Sequence, residues 1–307
     1  MSVRELIALG TSSQIPTRHR NHNGYLLRWD DEGILFDPGE GTQRQMTIGG
    51  LPASAITAIC ITHFHGDHCL GLAGIIQRLS LDRCEHPVSI YYPASGQEYF
   101  ERLRYASIYY DAATIVPKPI SGPAGRLIPL AETERYQLFA AALDHGVPCF
   151  GYTLRERGGR RFLPERLSAL GIKGPMVGEL SRAGQVTLGE RVVTAEEVSV
   201  ERHGARVAFV MDTRPCRGAE LLAEDADLLV MEATYTGEDQ ALAKDHGHSS
   251  SVDAAKTAVA AKARRLAITH FSQRYLNVET HLSEARALFA DTVALQDLDR
   301  VEIPRRK

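Results

Sequence analysis

Short apolar runs separated by turn residues open the chain. Residues 3–9, 25–29 and 34–36 are apolar or alternate, with Gly, Asn and Asp between them, and predict three strands. A longer β-rich stretch, "AITAICIT" over 55–62, stops abruptly at a group of histidines. The spacing of apolar positions then lengthens to that of a helix over 66–79. Further strands are predicted at 88–92, 126–130, 136–143 and 149–155, with a helix at 95–105. From about 157 to 200 the pattern dissolves. Glycine is frequent there and no core periodicity is sustained, so the segment reads as an insertion projecting from the body. Regular patterning returns with strands at 206–211, 228–231 and 266–268. An Ala-rich helix at 251–263 opens with serines able to cap it, and another helix is expected at 282–290. No internal repeat is evident. The class is α/β, with strands in each half and helices between them.

Composition adds bounds. The 307 residues are 44% hydrophobic and 24% charged, enough apolar material for a sizeable core. The formal net charge of -3 excludes a global basic field, so any polyanion site must be local. The insertion supplies one candidate. Between 153 and 194 stand Arg155, Arg157, Arg160, Arg161, Arg166, Lys173, Arg182 and Arg191, against Glu156, Glu165, Glu179 and Glu190. Eight minus four leaves roughly +4. A solvated surface segment would have the same composition. Cys60, Cys69, Cys84, Cys149 and Cys216 are widely spaced, with no CxxC. They argue against a disulfide framework and fit reduced thiols in a cytoplasmic enzyme. The opening "MSVRELIALG" has no long apolar leader, and no apolar run reaches about 18 residues, so neither export nor a membrane span is expected.

The chemistry concentrates in "ITHFHGDHCL", residues 61–70. His63 and His65, two apart on an extended segment, share a face. Gly66 is expected to permit a sharp change of direction, after which Asp67 and His68 point to a second position. Two ligands on each side of a bend suit two neighbouring cations. Imidazole and carboxylate without cysteine favour zinc, with manganese or iron as alternatives. Other predicted strands also end in residues able to bind metal: His145, Asp212 and His270. Taken singly, each is more simply a structural histidine or a turn aspartate. Asp37, in "LFDPGEGTQ", is a candidate acceptor for the far nitrogen of a bound histidine, or the holder of its own glycine-rich turn.

His63-Phe64-His65-Gly66-Asp67-His68 resembles the HxHxDH signature of the metallo-β-lactamase fold. "LGTSSQIPTRHRNHNGYLL", "LFDPGEGTQRQM", "DHGVPCFGY", "MDTRP", "MEATY", "DHGHSS" and "ITHFSQRY" resemble, in order and over essentially the whole chain, the short form of the ribonuclease Z family. That family trims the 3′ ends of precursor tRNA. The resemblance implies an αββα four-layer sandwich with a protruding flexible arm at about 157–200, on a single domain of 1–307. It implies two Zn2+ per subunit, one held by His63, His65 and His145, the other by Asp67, His68 and His270, with Asp212 bridging. Asp67 would also accept a proton near the attacking water, and Glu232 with His248 would serve proton donation to the leaving group. On the arm, Lys173, Gly174 and Pro175, with Arg160 and Arg161, would contact RNA phosphates. A homodimer is implied, in which the arm of one subunit serves the site of the other. The sequence departs from the family pattern at Pro38, Met211 and Ser250, and none of these is a ligand position. A hydrolase of a small ester or phosphodiester on the same fold would need no basic arm. A non-catalytic homologue that binds RNA or protein would have no need of all seven ligands.

Overall fold

The computed structural model describes residues 3–304. Two seven-stranded mixed sheets lie face to face, with helices on both outer faces, giving the αββα order. In the first sheet, Arg300–Glu302, Arg4–Gly10, Gly24–Trp29 and Glu32–Phe36 run antiparallel, and Ala58–Cys60, Val88–Pro93 and Ile115–Ile120 continue it in parallel. The second sheet mirrors this plan. Thr292–Ala294, Leu266–Thr269, Leu228–Glu232 and Arg206–Val210 are parallel, followed by antiparallel Phe150–Glu156, Tyr136–Ala142 and Ile128–Glu132.

The alternation of side chains explains the near-continuous apolar strands. Leu6 and Ala8 face the opposite sheet, while Ile7 and Leu9 face the covering helices. A strand covered on both sides needs no polar face. The inter-sheet layer is aromatic: Phe36 stacks on Phe209 at 4.5 Å, and Tyr25 meets Phe209 edge-on at 5.2 Å. Met211, just before Asp212, is fully buried in this layer. The helix Leu72–Leu81 sets Leu72, Ile75, Ile76 and Leu79 against the first sheet. On the other side, Ala254, Ala255 and Ala258 of Ser251–Ala260 let that helix approach its sheet closely. Ser250 caps it: its hydroxyl accepts from Asp253 N at 3.2 Å while the Asp253 carboxylate takes Ser250 N at 3.1 Å.

Several expectations shift. The helical stretch over 66–79 is two helices, Gly66–Cys69 and Leu72–Leu81. Gly66 is not in the left-handed region, and the bend instead comes from the extended His65 that caps the first helix. Ile115–Ile120 is a strand that the apolar pattern does not announce, because Pro117 and Pro119 interrupt it. It lies at a sheet edge, where proline is tolerated. The arm is more ordered than its pattern suggests. Gly159–Phe162 pairs with Ser199–Arg202, Gln185–Leu188 pairs with Arg191–Thr194, and the helices Pro164–Ala169 and Pro175–Ala183 pack with them. Ile172, Leu180, Val186, Val193, Ala195 and Val198 form a small core of its own. At its root, the Glu156 carboxylate takes Arg4 at 2.9 Å, Arg202 at 3.1 Å and Ala205 N at 2.9 Å.

Candidate metal centre

The parallel strands of both sheets deliver their C-terminal ends to one cleft, the usual place for functional groups in such sheets. His63 follows Ala58–Cys60, Asp212 follows Arg206–Val210, Glu232 ends its strand, and His270 follows Leu266–Thr269. His145 arrives from beyond Tyr136–Ala142. The cleft is about 660 Å³ and is lined by Gln14, His65, Asp67, His145, Asp212, Thr234, His248 and Arg274, among others.

The side chains converge as two groups. His65 Nδ1 lies 2.9 Å from His63 Nε2 and 3.3 Å from His145 Nε2. His68 Nε2 lies 3.2 Å from His270 Nε2, and each is 3.4 Å from Asp67 Oδ2. Asp212 stands between the groups, with Oδ2 3.2 Å from His68 Nε2 and 3.8 Å from His63 Nε2. The ligand atoms of each set, His63/His65/His145, Asp67/His68/His270 and His63/His68/Asp212, lie within 4.8 Å of one another.

The donor set fits divalent cations. Facing imidazole nitrogens at hydrogen-bond distance cannot all donate, so lone pairs are left aimed at the same space. Asp212 Oδ1 is buried and makes no hydrogen bond, although it lies 3.3 Å from His270 Nδ1. Four of the imidazoles have their outward nitrogen held by an oxygen. His63 Nδ1 meets Thr62 Oγ1 at 3.0 Å, His68 Nδ1 meets Asp37 Oδ2 at 2.8 Å, His145 Nδ1 meets Gly247 O at 2.8 Å, and His270 Nδ1 meets Thr234 Oγ1 at 2.8 Å. Such contacts fix the tautomer that aims the other nitrogen at a metal. Asp37 is thus the acceptor for His68, and its carboxylate also takes Thr62 N at 2.7 Å and Thr62 Oγ1 at 2.8 Å rather than holding its own glycine-rich turn.

Electrostatics follow from the crowding. Burial, helped by His68, holds His63 well below the ordinary histidine range. His68 goes the other way: burial opposes its charge, but Asp212, Asp67 and Asp37 outweigh it. Asp67 and Asp212 are held far below the usual carboxylate range. Burial opposes this, but His68 and His270 overcome it at Asp67, and His270, His68 and His248 at Asp212.

Beside this centre, His248 Nδ1 is 3.0 Å from Glu232 Oε2 and 3.9 Å from Asp212 Oδ2. Burial disfavours a charged His248, yet Glu232 and then Asp212 lift its pKa to about 9. Glu232 also accepts from Thr213 N and Thr234 Oγ1. Thr234 therefore links His270 to the Glu232–His248 pair, a role no spacing in the sequence announces. Gly247 is another such residue. It adopts φ +80° after the helix Gln240–His246 and offers its carbonyl to His145, and a Cβ there would lie 2.9 Å from His145 Nδ1.

The arm residues do not share this cleft. Lys173, Gly174, Pro175 and Arg161 are exposed on the arm, with Pro175 opening its helix. Arg160 is turned onto the arm itself, with Nη1 3.1 Å from Glu196 and Nε donating to Ser199 Oγ at 2.7 Å. Glu196 and Glu197 also lower the local charge. Carried to residue 200, eight basic minus six acidic residues leaves roughly +2 rather than +4.

The family model of the metallo-beta-lactamase superfamily matches residues 17–270. Over their whole lengths, the chain is 54% identical to a ribonuclease Z of Streptomyces coelicolor and to one of Nocardia farcinica. The chain belongs to the ribonuclease Z family. Its fold agrees with that of the human short-form tRNase Z, with a TM-score of 0.72 at 27% identity, covering 98% of this chain and 99% of the other. In this ribonuclease Z family member the histidine-aspartate cluster occupies the cleft that the metallo-β-lactamase fold builds at its strand ends, and the chain is a metal-dependent hydrolase of the endoribonuclease type.

Proposed function

We propose that this chain is a zinc-dependent endoribonuclease that removes 3′ trailers from precursor tRNA and leaves a 3′-hydroxyl on the tRNA. One observation carries the reading: Asp212 stands between two triads of side chains able to bind metal, and His248 of the Glu232–His248 pair lies 3.9 Å from it. His63, His65 and His145 would hold one ion, and Asp67, His68 and His270 the other, with Asp212 bridging. Bound there, two divalent cations supply Lewis acidity toward both the phosphate and the attacking water. Asp67 accepts the proton of that water. His248, charged through Glu232, sits where it can protonate the departing 3′ oxygen. The exposed arm residues Lys173 and Arg161 would hold phosphates away from the cut, positioning RNA without reading sequence. The protein acts as a homodimer in the cytoplasm, and among the described residues no helix is long and apolar enough to cross a membrane.

The test is incubation of purified protein with a 3′-extended precursor tRNA, with and without chelator. The expected outcome is a single cut that leaves a 3′-hydroxyl on the tRNA and is abolished by chelation. Turnover of a small phosphodiester with no cut in the precursor would instead favour a small-molecule hydrolase on this fold.

A further inference from the structure

We propose that Asp297, near the C-terminal end of the chain, is a positioning residue for Asp67 and acts through the loop that follows the first strand. This rests on the reading of Asp67 as a metal ligand and proton acceptor.

The loop leaves the strand Arg4–Gly10 at Thr11 and returns at Asn21. Its tip, from Gln14 to His19, is exposed. One carboxylate closes its base. Asp297 Oδ1 accepts from Thr11 Oγ1 at 2.8 Å, and Oδ2 accepts from Asn21 N at 2.6 Å. Gln45 Nε2 adds a third donor at 3.1 Å and ties the same corner to the strand through Leu9 O at 2.7 Å. Arg20 reinforces the closure, donating to Thr11 Oγ1 at 2.9 Å and lying over the Phe271 ring at 4.9 Å.

What the closed loop presents is a single amide. Gln14 N–H donates to Asp67 Oδ2 at 2.7 Å, the oxygen that faces His68 and His270. Gln14 has φ +59°, a left-handed conformation uncommon in a non-glycine residue. His22 Nε2 against Gln14 O at 3.2 Å and Ser12 Oγ donating to Ile15 O at 2.6 Å hold it there. Ser12, in turn, bridges to His22 and pairs with Phe271, next to His270. A continuous set of contacts thus runs from Asp297 through the loop base to Gln14 and Asp67. Among the described residues, the Gln14 amide is the hydrogen-bond donor to Asp67 Oδ2 from outside the histidine cluster.

The chemistry of Asp297 makes the substitution specific. Three donors converge on two carboxylate oxygens. Asn21 N and Gln45 Nε2 can only donate, so Asp297→Asn, which keeps size and shape, must turn its NH2 to Thr11 Oγ1; that hydroxyl already accepts from Arg20 and then has no acceptor for its own proton, so the loop base loosens. The experiment measures kcat and KM for a small phosphodiester, bis(p-nitrophenyl) phosphate, together with the chelator concentration that removes half of the bound metal. Asp297→Asn is expected to lower kcat roughly 10- to 100-fold, the size of effect a misplaced reacting group produces, with KM nearly unchanged. Half-release of metal should move to lower chelator concentration. In an Asp67→Asn background, Asp297→Asn should change metal release no further, since the two act in series. Parental kcat and metal release in Asp297→Asn, with only a lower melting temperature, would overturn the proposal, as would full additivity with Asp67→Asn. Should Asp297→Asn fail to fold, Thr11→Val removes a single donor and must shift the same readouts in the same direction. No readout uses RNA, so failure of precursor tRNA cleavage by the parental enzyme would count only against the RNA reading.

Discussion

Glu232 is fully buried and accepts from Thr213 N, Thr234 Oγ1 and His248, so its charge is held close to one imidazole. His248→Ala therefore leaves the proposed ligands in place but removes the proposed proton donor. Turnover of precursor tRNA should fall roughly 10²- to 10⁴-fold while metal content, read by atomic emission, stays at the parental value. A parental rate would remove His248 from the acid role. His63→Ala should instead lose metal. A second histidine matters for stability. His281 is buried against Phe271 and Tyr275, both its ring nitrogens lack hydrogen bonds, and burial first of all lowers its pKa to about 4. The folded value lies below the unfolded one, so its contribution is intact above pH 6.5 and is lost as pH falls toward 4. The whole gap corresponds to about 3 kcal/mol. Melting temperature followed from pH 7.5 to 4.5 should drop steeply in the parent and less in His281→Phe. Equal slopes would show that His281 does not titrate with unfolding. These residues also mark what a sequence can reveal. The histidines and aspartates at strand ends were legible, because an apolar run that stops at a ligand type is a local signal. Thr234, Gly247 and Asp297 were not. Their work is done by hydrogen bonds between segments far apart in the chain, which no spacing encodes.

Among the elements, the arm departs furthest from its pattern. Its six core side chains are spread from Ile172 to Val198 over a helix, a hairpin and a short helical turn, so no single window shows a period. The edge strand Ile115–Ile120 was obscured by its prolines, and Thr292–Ala294 and Arg300–Glu302 by their brevity. The central strands are legible in the sequence because both faces are covered and their apolar runs are unbroken. Gly159 and Arg202 are paired across the arm's root. Replacing the residues between them with a short glycine-serine turn should leave turnover of bis(p-nitrophenyl) phosphate intact while precursor tRNA processing fails. Loss of both would make the arm part of the fold. Leu180→Asp is a milder version. A charge in the arm's core should cost several kcal/mol there and give the same split between substrates.

At the scale of the molecule, the two half-parallel sheets bring their strand ends to one edge, and the site needs residues from both. His63, His65, Asp67 and His68 come from the first sheet's side, and His145, Asp212 and His270 from the second. Metal bound across that seam should stabilise the whole body, and a chelator should lower its melting temperature. For the proposed homodimer, light scattering should give about twice the chain's 33.8 kDa, and a monomeric mass would remove the shared-arm arrangement. The arm's separate core has a kinetic consequence. A unit whose buried side chains form their own cluster opens on its own, without waiting for the body. In heavy water, the amides of Gln185–Leu188 and Arg191–Thr194 should take up deuterium together, well before those of Leu228–Glu232. Bound tRNA should slow that uptake in the arm far more than in the sheets, so the enzyme would grip its substrate with the part of itself that breathes most.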